Sequence, residues 1–161
     1  MVMLLDARYR FAEARAACAE LGRVSSMLES LEDGSWDGSK PWAARRGGSK
    51  PVHSDPTASS AASRLAVIGG LRARYDSLAA TIEEAGIVVE QVGRFKGQGY
   101  ARVLDLYYLG GVRLLWREVA DELTMAEGAT VTEDAAKKRR DRACEWVDKV
   151  GWERILSHAA L

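Results

Sequence analysis

Residues 100–150 read YARVLDLYYLGGVRLLWREVADELTMAEGATVTEDAAKKRRDRACEWVDKV, and the spacing of their apolar side chains decides the fold. Val103, Leu104, Tyr107 and Tyr108 form one flank of a short helix over 100–109, which Gly110 and Gly111 stop. Leu115, Val119, Ala120 and Leu123 share a face over 115–123, and the small Ala120 admits close approach by a neighbouring helix. After a turn, Thr132 is placed to cap a third helix, with Glu133 and Asp134 in its first turn to complement the dipole. Ala136, Ala143, Val147 and Val150 then supply an inward stripe. Helix, turn and helix on a supporting helix is the arrangement that presents one rod to a duplex groove.

Charge decides what that rod would touch. Lys137, Lys138, Arg139, Arg140 and Arg142 concentrate positive charge on the third helix as nowhere else in the chain. A helix about 10–12 Å across fits the major groove, and each Lys or Arg facing phosphate releases counterions. On this reading Thr132, Glu133, Asp134, Lys137 and Lys138 lie nearest base edges, with Arg139 on the same basic run. Arg142 and Lys149 meet phosphate. Arg140 falls on the row between Ala136 and Ala143, so its stem is expected to snorkel past the core. The competing reading is a solvated helix face balanced by Asp134, Asp141 and Glu145 through pairs three or four residues apart. The three-helix setting favours nucleic acid over that alternative.

Upstream, Leu4, Ala7, Phe11, Ala14, Cys18, Leu21, Ser25 and Leu28 recur at alternating steps of three and four, which predicts a long first helix ending near Leu31 or Glu32. Tyr9, Ala12 and Ala16 form a weaker second stripe suited to a homodimer through this helix. Residues 33–54, DGSWDGSKPWAARRGGSKPVHS, show neither helical nor strand period and read as a flexible loop. Its Lys40, Arg45, Arg46 and Lys50, interleaved with Trp36 and Trp42, have the chemistry to touch phosphate, although a solvated linker accounts for them as well. Asp55 and Pro56 open a second helix, whose stripe is Ile68, Leu71, Tyr75, Leu78, Ile82, Ala85, Val89 and Val92. Two such stripes bury themselves most economically as an antiparallel hairpin. The expected fold is therefore all-α: a helical hairpin arm over 1–93, a break in the Gly-punctuated stretch GRFKGQG at 93–99, and a helix-turn-helix module over 94–161.

Composition narrows the function. The chain has 161 residues, 23 basic and 23 acidic, so total charge argues for no polyanionic partner and only local clustering can. No window approaches the roughly 18 to 20 apolar residues of a membrane span, and the start acquires charge too early for a secretory segment, so a cytoplasmic protein without membrane partners is expected. Cys18 and Cys144 read as reduced, buried thiols. His53 and His158 lack partners at ligand spacing, and neither metal nor cofactor is expected. No phosphate-cradling Gly loop, His-Glu-x-x-His or Gly-x-Ser-x-Gly occurs, so no catalytic residues are assigned.

The run over 100–124, followed by KKRRDRACEWV, resembles region 4 of sigma-70-type factors and, more closely, small phage transcriptional regulators of the ArpU and RinA type. Leu106 to Leu109, Trp116 to Ala120, and Arg142, Ala143 and Cys144 match the family's Leu-Tyr-Tyr-Leu, Trp-x-x-Val-Ala and Arg-Ala-Leu segments, and the helical arm is similar too. The resemblance implies a prophage-encoded regulator that reads double-stranded DNA, with RNA polymerase as a partner. Where the family has a tight turn, this chain carries Ala126 to Val131 as an apparent insertion, and Ala135 and Ala136 stand at its Thr-Val positions. A small terminase-like DNA-packaging subunit and a helical adaptor that binds no DNA are the alternatives.

Overall fold

The computed structural model describes residues 6–34 and 56–161. Leu4, His53 and the Trp36 to Lys50 loop chemistry lie outside the described residues. All regular structure among the described residues is helical: α1 (Ala7–Glu32), α2 (Pro56–Lys96), α3 (Gln98–Leu104) continuing as a π-helical turn (Asp105–Leu109), α4 (Trp116–Glu127), α5 (Glu133–Val150) and α6 (Trp152–Ala159). None of these helices is long and apolar enough to cross a membrane. The chain divides into two compact units, one comprising the chain up to Glu20 with Leu78–Leu161, the other Leu21–Ser77.

In the smaller unit, Val24 and Leu31 of α1 are buried, and Ile68 and Leu71 of α2 are half-buried. An exposed ion pair joins Arg72 to Glu32 at 2.6 Å. Tyr75, assigned to the inward stripe by its spacing, is exposed instead. Tyrosine tolerates that position because its ring ends in a polar hydroxyl.

The larger unit has two apolar centres. In the first, Ala7, Phe11 and Ala14 of α1 join Ala85, Val88 and Val92 of α2, Leu104 and Tyr108, Ala143, Cys144 and Val147 of α5, and Trp152 and Ile155 of α6. Phe11 is fully buried, stacked on Tyr108 at 5.3 Å and meeting Trp152 edge-on at 5.1 Å. The second centre gathers Val103, Val119, Leu123, Val131 and Ala136, which seats α3, α4 and α5 together. The π-helical turn serves both. Its consecutive tyrosines meet different neighbours: Tyr108 stacks on Phe11, while Tyr107 stacks on Trp116 at 4.3 Å.

Residues near the start of α1 are held by α5 as well as by local capping. The Asp6 carboxylate accepts from Arg8 N at 3.1 Å, and Asp148 Oδ1 accepts from Ala7 N at 2.7 Å. One free donor of the first turn is thereby satisfied from 141 residues away. The compact units accordingly divide the chain elsewhere than between residues 93 and 94, because Val92 and Ala101 lie in the same core. Helix α6 was not anticipated from the spacing; Gly151, at φ 94°, ends α5 and opens α6, burying Trp152 and Ile155.

Two glycines of α2 carry opposite expectations. A Cβ at Gly86 meets nothing within 4 Å, whereas one at Gly93 would lie 3.2 Å from Ala101 Cβ and 2.9 Å from the Gln98 amide. Thermal unfolding should show Gly86→Ala more stable, by up to about 1 kcal/mol from helix propensity. Gly93→Ala should be less stable, by about 1–3 kcal/mol from overpacking. Burial pushes the Cys144 thiol up to about 12, the nearby Arg8 and Arg140 guanidiniums opposing the shift, and burial raises the half-buried Cys18 thiol too. Alkylation at pH 8 read by mass spectrometry should leave Cys144 unlabelled in the native chain and label it fully in denaturant.

Candidate nucleic-acid interface

The geometry of the α4–α5 connection rests on one threonine. Gly128, in the left-handed region at φ 68°, closes α4 by donating its N–H to Thr124 O at 3.0 Å. The Thr124 hydroxyl donates to Ala120 O at 2.9 Å and accepts from Val131 N at 2.9 Å. Val131 is thereby turned inward among Val119, Leu123 and Ala136. At the other end of the turn Thr132 Oγ1 accepts from Ala135 N at 3.2 Å, as its spacing predicted. Of the segment Ala126 to Val131, Ala126 and Glu127 extend α4, and only residues 128–131 separate its end from the Thr132 cap.

The basic run does not form one outward face. Successive helical residues are about 100° apart, so four adjacent cations must circle the rod. Arg139 turns towards α4 and forms a two-pronged ion pair with Glu127, its second prong at 3.1 Å. Hydrogen bonding from Arg139 holds the Glu127 carboxyl below the usual range, and the same bond raises the Arg139 guanidinium. This pair lies against the backbone of α3, where a Cβ on Gly99 would sit 3.1 Å from both partners. The Arg140 guanidinium lies over Trp116 at 4.9 Å and donates to Asp141 at 2.8 Å. Arg15 covers Tyr107 at 4.4 Å. Lys137 is half-buried, 3.9 Å from Glu133.

What remains outward is a narrower stripe. Lys138, Arg142 and Lys149 are exposed on one side of α5, and exposed Asp134 and Glu145 stand on the same side. Of the eight residues expected at DNA, Thr132, Asp134, Lys138, Arg142 and Lys149 are therefore presented outward on or beside this stripe. Glu133 and Lys137 are paired with each other, and Arg139 is committed to Glu127. Leu115 is also outward, 68 % exposed, because it lies at the N-cap of α4, where its N–H donates to Glu118 at 2.6 Å. Spacing alone also missed a groove at the C-terminal end of α5, where Lys149 meets Arg94, Phe95, Trp146 and Arg154. These side chains come from three helices, and the only trace in the sequence is the basic, aromatic GRFK stretch.

No family model matches the chain, and neither a curated protein nor a solved structure is similar to it.

Thr124→Val keeps the shape of the side chain and leaves the part-buried Val131 N–H without its acceptor. Urea unfolding should show a loss of about 1–3 kcal/mol, larger than that of an exposed substitution such as Met125→Ala.

Proposed function

We propose that the chain is a DNA-binding transcriptional regulator of the prophage type, in which α4 and α5 act as a helix-turn-helix and α5 enters the major groove. The observation that carries this reading is the short turn pinned by Thr124, which holds α5 against α4 while Lys138, Arg142 and Lys149 stand outward. The prophage setting rests on the sequence resemblance alone, whose segments Leu106 to Leu109, Trp116 to Ala120 and Arg142 to Cys144 lie in α3 and its π-helical turn, in α4 and in α5. RNA polymerase belongs to the same proposal as the protein partner.

Carboxylates beside the cations shape what the helix would do. Phosphate repels Asp134 and Glu145, so non-specific affinity is held down. A carboxylate near the N-terminus of a reading helix can accept from the amino group of cytosine, which assigns base discrimination to Asp134 and phosphate contact to Arg142 and Lys149. The engagement of Arg139 and Arg140 within the fold favours one rival, a helical adaptor that binds no DNA.

A duplex selected by the protein from a random-sequence pool separates the two. Its affinity, followed by gel shift, should fall linearly with the logarithm of salt concentration. Lys138→Ala with Arg142→Ala should flatten that slope by about 2, whereas Lys137→Ala should change it less. Failure to enrich any duplex, or an unchanged slope in the double variant, would leave the adaptor.

A further inference from the structure

Beyond the α5 stripe, the larger unit carries a groove of about 700 Å³ between the end of α2, the end of α5 and α6. Phe95 of α2 is 71 % exposed although it is a large apolar side chain, and its ring stacks on Trp146 of α5 at 6.0 Å with 25° between the planes. Four basic side chains from all three helices line the same groove: Arg94, Lys149, Arg154 and His158. Among the described residues no carboxylate lines it, and Arg94 is paired at 2.8 Å with Glu90, which lies outside the lining. Gln91, buried on the neighbouring turn of α2, adds an amide to the wall.

An exposed ring on an aromatic neighbour offers a flat apolar face, and the surrounding cations demand an anion within a few ångströms of it. A bare phosphate would leave the rings unused. A neutral aromatic would leave the charge unmatched. We infer that the groove is a nucleotide-binding site, in which a base stacks on Phe95 over Trp146, Arg154 and Lys149 hold its phosphate, and the Gln91 amide faces the edge of the base. The nucleotide is either free or an unpaired residue of a nucleic-acid strand; both present one base and one phosphate in the same chemistry. The site does not depend on α5 entering a duplex, since of its residues only Lys149 belongs to the outward stripe.

Calorimetric titration of the full chain with deoxyadenosine monophosphate, hexadeoxythymidylate, deoxyadenosine and inorganic phosphate tests this. Both nucleotide probes should bind, with deoxyadenosine and phosphate each at least about tenfold weaker, because each offers only half of the contacts. Phe95→Ala and Arg154→Ala should each weaken the monophosphate by about 5- to 100-fold, the range that one stacked base contributes. Both side chains are exposed, so unchanged circular dichroism is expected for each variant. A hexanucleotide binding more than about tenfold tighter than the monophosphate identifies a strand as the source, and equal affinity identifies a free nucleotide; either supports the site. Absence of binding by both nucleotides, phosphate binding as tightly as the monophosphate, or affinities untouched by both variants would overturn it. Lys138→Ala with Arg142→Ala should leave monophosphate binding unchanged, so loss of duplex binding and loss of this site read out separately.

Discussion

Phe11 lies fully buried between the ring of Tyr108, 5.3 Å away, and that of Trp152, 5.1 Å away, and this contact closes the core of the larger unit. It joins a residue of the first helix to the π-helical turn and to the last helix, across about the whole length of the chain. Burying three aromatic rings together removes several hundred Å² of apolar surface from water, more than any ion pair of this fold can offset. Helix α5 depends on it indirectly. Ala143, Cys144 and Val147 of α5 share that core, so the face of α5 turned inward, and hence the face left outward, follows from where Phe11 is seated.

The π-helical turn carries two adjacent tyrosines that serve two centres. Consecutive helical residues point in directions roughly 100° apart, so Tyr107 and Tyr108 reach different neighbours. Tyr108 stacks on Phe11 and Tyr107 on Trp116, with the Arg15 and Arg140 guanidiniums lying over the second pair. Cations on aromatic faces stabilise the fold and are withdrawn from any partner. The same holds for Arg139, whose fork fits the Glu127 carboxylate and lies against Gly99. A run of basic residues thus divides its work between binding the rest of the fold and facing outward.

Rigidity and charge meet on α5. Thr124 and Thr132 fix the turn before it, Gly151 ends it, and along its outward side Lys138, Arg142 and Lys149 are interspersed with Asp134 and Glu145. A stripe of mixed sign binds a uniform polyanion weakly and rewards a partner whose donors and acceptors match it. At the far end of the helix the mixture gives way to cations around Phe95 and Trp146, where the groove offers aromatic stacking as well as charge.

By itself the sequence determined that the chain is helical, roughly where its five longer helical segments lie, and that Thr132 caps α5. Thr132, the stripes through Ala7 and Phe11 and through Ala85 and Val92, and the inward row Ala136, Ala143 and Val147 are all set by local spacing, because a period near 3.6 and a capping hydroxyl act within a few residues. Tertiary structure alone decided which cations remain outward, that Ala126 and Glu127 lengthen α4, that Leu115 and Tyr75 face solvent, and that the core continues through the Gly-rich stretch at 93–99. Each of these turns on a partner distant along the chain, such as Glu127 for Arg139, Ala101 for Gly93 or Asp148 for Ala7. A linear pattern records which side chains share a face, but not which other face will come to cover it.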